Sequence, residues 1–457
     1  MTRHVAWLVS LALLLASSAA AAQEPVQVGD AMGSQSIGRH LSFLLDPTGR
    51  MSVHDARAAA ARGRFVPSER EYNGFGYEDA VVWIRFETQS PSPDRVRWLL
   101  DMGYELHDRV DLYVVEPGGA IQHALAGDQV PFATWPVAHR RVVLPVDQPT
   151  GLSELFVRVY STNPMNLPLQ IHSPKAFAEH KEHEAIWLWL FYGLVGALTI
   201  YNAFLFLFLR DRSYLYYVLY IVTGGLFVLS HNGLAYQYLW PNSPTWNNQA
   251  HIVFAVASSL AVLQFCRSFL NTPRTAPRID RAFVGLQLFA AGMLLPSVLV
   301  YAPVVGQIGA VVLIFAMWLM LGTGIMLLRR GFRPARFYIL SWAALLIGVS
   351  VSLLKALGVL PIHFLTNWGY QLAVAVELIL LSVALADRIN QMKRDVERLN
   401  VALGDQVLQR TRSLRTATLN LTQRTAELER INDQLRTEIE ERQRAEAERN
   451  TIEEQLR

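Results

Sequence analysis

Cysteine occurs once in the 457 residues, as Cys266. An internal disulfide is therefore excluded, even in a compartment that would permit one. Paired metal-ligand spacings, a nucleophile elbow and a glycine-rich phosphate loop are all missing, so neither a metal site nor a catalytic site is expected, and no cofactor. Charge is scarce between about residues 185 and 386 and dense beyond them. The net charge of +3 gives no reason to expect a nucleic-acid partner. Residues 387–457 contain no proline, no aromatic residue and no histidine. These absences divide the chain into zones before any motif is read.

The first zone is short. Arg3 and His4 precede an apolar run over residues 5–15. That run is about half the ~20 residues a span needs. Ala20-Ala21-Ala22 then offers a small-residue cleavage site before Gln23. Residues 1–22 are expected to be a signal peptide.

Residues 23–184 are expected to form an exported β-sandwich sensor domain. Runs rich in β-branched and aromatic residues fall at 37–45, 80–88, 96–101, 110–115, 121–125, 141–146, 155–160 and 167–172. Pro117-Gly118-Gly119 marks a hairpin turn, and residues 52–62 a short helix with Ser52 as its cap. Many short strands with few helices between them imply a sandwich rather than a parallel sheet. His107, His123, His139 and His172 look scattered. Tyr72, Phe75, Tyr77 and Trp135 are ring-bearing residues in or near predicted loops, suited to stacking on a flat ligand. Trp83 and Trp98 are expected in the core. Trp135, between Thr134 and Pro136, reads equally well as a ligand residue or a packing residue.

Residues 185–386 are expected to cross a bilayer seven times. Residues 185–209 form a charge-free run long enough to span. Further spans fall at about 214–230, 251–266, 282–300, 304–328, 337–354 and 368–386, with Tyr301, Ala302 and Pro303 as the turn between the fourth and fifth. Arg210 and Arg212, then Arg267, Arg274, Arg278 and Arg281, then Arg329, Arg330, Arg333 and Arg336 occupy alternate loops. Arg388, Lys393 and Arg394 follow the last span. The opposite loops hold no lysine or arginine, which places the N-terminal domain outside and the C-terminus in the cytoplasm.

Glu377 lies near the middle of the seventh span. It cannot snorkel to the surface, so it must meet a polar partner or stay protonated, with Asn202, Gln264 and Gln287 as candidate partners. A signalling role for Glu377 and Asn202 and a purely structural hydrogen bond both fit. Lys355 sits near the outer end of the sixth span, at a different depth from Glu377. The seventh span has no lysine for a retinal linkage.

Residues 387–457 read as one long helix. Val407, Leu414, Leu421, Leu428 and Leu435 recur every seven residues, the pattern of a parallel coiled coil and hence a homodimer. The four-residue step from Leu403 to Val407 is a stutter. Arg410 and Arg424 weaken alternate core positions.

Several motifs carry a family resemblance. These are Tyr192-Gly193-Leu194 with Tyr201-Asn202, Arg210-Asp211-Arg212-Ser213-Tyr214-Leu215-Tyr216-Tyr217, and Asn232-Gly233-Leu234-Ala235-Tyr236. Glu377 followed by Leu381-Ser382-Val383-Ala384-Leu385-Ala386-Asp387-Arg388 is another. The chain resembles the bacterial seven-transmembrane receptors with diverse intracellular signalling modules. Ala80-Val81-Val82-Trp83-Ile84-Arg85-Phe86 and Arg109-Val110-Asp111-Leu112-Tyr113 are similar to that family's second type of extracellular domain. The resemblance implies a jelly-roll-like sensor of a periplasmic small molecule or carbohydrate in the bacterial inner membrane. It also implies a kinase, cyclase or phosphatase output. The segment 435–457 resembles the helix that precedes a kinase dimerisation domain. No phosphoacceptor histidine and no nucleotide-binding or cyclase motif is present in the tail. Two readings remain: a non-enzymatic receptor subunit, or the input half of a truncated or split sensor histidine kinase or diguanylate cyclase.

Overall fold

A computed structural model describes residues 23–29, 32–299, 303–356, 360 and 364–455. The expected signal peptide, and the turn residues Tyr301 and Ala302, lie outside the described residues. The chain divides into two units, Met1–Leu385 and Ala386–Arg457.

The N-terminal part of the first unit is a β-sandwich. Its larger sheet runs in the order Val66–Pro67, Ser42–Asp46, Val81–Ser90, Gly151–Tyr160, Arg109–Val115, Ile121–Ala126, with Val26–Gln27 parallel to Val81–Ser90. The smaller sheet runs Val143–Gln148, Val96–Asp101, Gln170–His172, Ser34–Ser36. Met165–Leu167 and Asn73–Gly76 form a separate pair. Side chains alternate between the two faces of a strand, and Val81–Ser90 uses both. Val82, Ile84 and Phe86 face the core between the sheets. Val81 and Trp83 face outward, into a second core under helix α1 (Val53–Ala61). Ser52 caps α1 through a capping box with Asp55, as its sequence implies. Trp83 and Trp98 are fully buried. The expected run at 37–45 is interrupted by a 3-10 turn over Gly38–His40, and the run at 167–172 divides into two strands.

Helices follow in series: α2 (Pro174–Leu209), α3 (Arg212–His231), the short α4 (Leu234–Tyr238), α5 (Pro244–Leu270) and the single turn α6 (Thr272–Thr275). Next come α7 (Pro277–Leu299), α8 (Pro303–Arg329), α9 (Ala335–Ala356) and α10 (Phe364–Gln455). Among the described residues, six helices are long and apolar enough to cross a membrane: α2, α3, α5, α7, α8 and α9. The seventh apolar stretch forms the start of α10. Large apolar side chains such as Phe208, Val311 and Trp318 point out of the bundle, where water would not tolerate so continuous a patch but lipid does. Tight polar turns separate the spans. Arg210 closes α2 in the left-handed region, and Asp211 then caps α3 by accepting from the Ser213 amide at 2.8 Å.

The second unit is the remainder of α10. Val407, Leu414, Leu421, Leu428 and Leu435 are all more than half exposed along it.

Candidate signalling site

Three buried polar groups stand where elements distant in sequence meet. The first joins the sandwich to the bundle. Arg140 and Arg141 precede the strand Val143–Gln148, and Glu184 lies in the early turns of α2. Arg140 Nε donates to Glu184 Oε2 at 3.2 Å, and its Nη2 donates to the other oxygen. Arg140 Nη1 also bonds Glu105 and, at 3.2 Å, the Asn232 carbonyl after α3. Arg141 donates to Glu184 at 2.9 Å and to Asp101 at 3.0 Å. Each of Arg140, Arg141 and Glu184 is only 7% exposed. One guanidinium thus ties together the sandwich, the first bundle helix and the turn after the second.

Gly233 makes that approach feasible. Its φ is +73°, and a Cβ there would lie 2.2 Å from the Arg140 carbonyl oxygen. Nearby, Tyr236 of α4 enters the sandwich core and donates to the Val130 carbonyl at 2.7 Å.

His139, His172 and His180, far from being scattered, gather around Phe177 and Arg141. Burial first, then the Arg141 charge, pulls His139 down to about 4. Burial also takes His172 down to about 4. Both are neutral at pH 7 and serve as packing.

The second group is a pair of acids. Asp108 and Asp128 face one another, and Asn248 of α5 faces Asp128. Asp108 accepts from Gln129 at 2.8 Å and from the Thr162 hydroxyl at 2.8 Å. Burial pushes both carboxyls up, and the Asp108 charge raises Asp128 further. The folded protein therefore holds a proton that the unfolded chain releases above about pH 4. The resulting stabilisation is complete below that pH and is lost as pH rises through the folded values. Asp101, Glu105 and Asp111 are held below the ordinary range, their arginine partners outweighing burial, so they do not titrate in this window. His139 and His172 act in the opposite sense, since groups pulled down to about 4 lose stability as pH falls below about 6.5, so the pair is read from a difference between variants. Asp128→Asn should stabilise the solubilised chain by about 1–3 kcal/mol at pH 8 and by less at pH 5. A gain that does not change with pH would remove the pair from this role.

The third group lies inside the bundle. Glu377 of α10 is fully buried, and the Tyr220 hydroxyl lies 2.7 and 2.9 Å from its two oxygens. Tyr217, one turn earlier on α3, donates to the Leu378 carbonyl. Ser382 Oγ lies 3.3 Å from the Tyr217 hydroxyl, and Asn202 Nδ2 of α2 donates to Ser382 at 3.1 Å. Tyr217 and Tyr220 share a helix face by their three-residue spacing. Two helices thus hold the apolar first part of α10. On another side α9 packs close: a Cβ on Gly348 would lie 2.2 Å from that of Ala373.

The two bundle residues expected to signal, Glu377 and Asn202, both contribute to the seam that α2 and α3 make with α10, in separate hydrogen-bonded sets: Asn202 reaches Ser382, and Tyr220 reaches Glu377. Gln264 and Gln287 bond each other at 3.0 Å and Arg267, well away from Glu377 in their partners. Lys355 donates to Asn367 at 3.3 Å. In the sandwich, Trp135 is 8% exposed; its indole donates to the Gly127 and Val130 carbonyls and packs on Phe132 and Tyr236. It is a packing residue, because a helix from the bundle covers a ring that its loop alone would expose. Phe75 packs edge-on against Phe43, Tyr72 is half-buried and Tyr77 is 58% exposed. Tyr220, Arg140 and Arg141 were not singled out from sequence, and Tyr217 stood there only within a family motif. The only local signal was Arg140-Arg141 as adjacent charges beside an apolar strand.

Residues 184–388 match the family model described as 7TM diverse intracellular signalling. Residues 38–173 match the one described as 7TMR-DISM extracellular 2. The chain belongs to the 7TMR-DISM family. The two matches together take in about three quarters of the chain. No curated protein matches it. The 7TMR-DISM assignment makes this a multi-pass membrane protein with a seven-helix receptor region and an extracellular domain. In this 7TMR-DISM protein the Arg140–Glu184 network falls at the junction of the two matched regions.

Proposed function

We propose that this 7TMR-DISM receptor senses a small molecule with its periplasmic sandwich and passes the signal through the bundle into a dimeric cytoplasmic coil. The carrying observation is Arg140, bonded at once to Glu105, Glu184 and the Asn232 carbonyl. A shift of the loop around Glu105 is felt directly by α2 and by the turn that ends α3. Those two helices contact α10 through Asn202–Ser382 and Tyr220–Glu377. A packed bundle with two discrete arrangements is the kind of element that converts such a shift into a signal. The leucine stripe from Val407 to Leu435 supports a parallel dimer, since one copy leaves it uncovered. A kinase, cyclase or phosphatase downstream of that coil is the proposed output.

The arginines of alternate loops support an inner-membrane orientation with the sandwich outside. Alkaline phosphatase fused after Ser173 should be active, and fused after Arg394 inactive. The reverse pattern, or activity at both positions, would sink the orientation and with it the periplasmic sensor.

A further inference from the structure

We infer that a cleft on the outer face of the larger sheet, between Arg109, Tyr113, Arg158 and Tyr160, binds a small hydroxylated organic acid through a single carboxylate. The inference rests on the receptor reading above and names its ligand class. The cleft has a volume of about 390 Å³, within the ~300–1,000 Å³ of small-molecule sites. It lies where the paired residues Tyr160 and Arg109, and Arg158 and Asp111, stand side by side on adjacent strands.

Its floor is the Asp111 carboxylate, 1% exposed. Arg109 Nε and Nη2 donate to the two oxygens at 2.9 and 3.1 Å. His123 Nε2 lies 3.1 Å away, and Arg158 Nη1 donates at 3.3 Å. Arg158 Nη2 reaches the Gly49 carbonyl at 3.1 Å. Asp111 is therefore saturated as an acceptor. What remains open to a ligand is guanidinium N–H on both arginines, with Arg109 49% exposed, and the two phenol hydroxyls. Tyr113 is held in place by stacking between Trp83 and His123.

Two guanidinium charges against one carboxylate leave a charge of +1, which matches one carboxylate better than a doubly charged phosphate. The phenols, which both donate and accept, suit hydroxyl groups on the same ligand.

The strands that carry the cleft also lead to the bundle contact. Arg109 follows Asp108, which faces the Asp128–Asn248 group. Tyr160 precedes Ser161 and Thr162, which bond the Leu106 carbonyl and Asp108. A ligand drawing Arg109 and Arg158 together would act on the same loop that carries Glu105.

The test is calorimetric titration of the full chain in nanodiscs with D-galacturonate, D-gluconate, D-galactose and inorganic phosphate. At least one of the two acids should bind, with galactose and phosphate at least about tenfold weaker. Arg109→Gln should weaken the acid at least about tenfold, and because Arg109 also pairs with the buried Asp111 its melting curve is recorded beside the titration. Tyr160→Phe, which breaks no ion pair, should weaken the acid less. If Arg109→Gln does not fold, Tyr113→Phe serves in its place. The inference is overturned if neither acid binds, if galactose or phosphate binds as tightly, or if a folded Arg109 variant binds the acid normally. Crosslinking in the coil is read separately. Acid binding without any change there would leave the cleft standing and remove the relay.

Discussion

Glu184→Ala should destabilise the protein by about 3–5 kcal/mol and loosen the sandwich from α2. Removing one member of a buried ion network leaves donors that were desolvated for it short of an acceptor, which costs more than the net contribution of the pair. Here Arg140 and Arg141 both lose Glu184. Each keeps one carboxylate, Glu105 and Asp101 respectively, so the damage would concentrate at α2. Glu184→Gln should cost less, because one acceptor oxygen remains. Thermal unfolding of the solubilised chain, with limited proteolysis between the sandwich and α2, measures both effects. A melting curve unchanged in Glu184→Ala would show that the network is dispensable.

Tyr220→Phe and Glu377→Leu should each change basal signalling, and the double variant should be less disturbed than the sum of the two. Tyr220→Phe deprives Glu377 of its hydroxyl donor; Glu377→Leu strands the Tyr220 hydroxyl in the bundle. Either loss costs about 1–3 kcal/mol, whereas removing both partners together relieves the penalty. Because α10 carries Glu377 and continues as the tail, the altered packing would appear in the output. Glu377→Gln keeps a hydrogen-bond acceptor and should have the smaller effect. The readout is the activity of a kinase module fused after Arg457, at matched protein levels. Strict additivity of the two substitutions would mean that the residues act independently.

Much of the architecture is local and was legible in the sequence. Ser52 with Asp55 announces α1, the β-branched and aromatic run through Val96–Asp101 announces a strand, and the charge-free runs announce the spans. Glu377 was legible as a residue with a polar contact to another helix, because a lone acid in an apolar helix must find a partner. The partner was not legible. Tyr220 lies 157 residues away, and nothing in its own helix distinguishes it from Tyr214 or Tyr217. The Arg140–Glu184 contact spans 44 residues and crosses from a strand to a helix. Trp135 reads two ways from sequence for the same reason: Tyr236, which covers it, comes from the bundle. Side-chain type and spacing specify elements, whereas the sites lie at contacts between elements, and those depend on how the elements pack.

The most direct test of the proposed relay is disulfide crosslinking in the tail. Leu421→Cys is placed in a Cys266→Ser background, which removes the native, buried thiol. Membranes are then oxidised, and dimer yield is compared between the otherwise unchanged chain, Glu377→Gln and Glu377→Leu. The account predicts a same-position crosslink in the unchanged chain and a yield that shifts with Glu377→Gln and shifts further with Glu377→Leu. A well-expressed protein that fails to crosslink at Leu421, or a yield that both substitutions leave untouched, would contradict it.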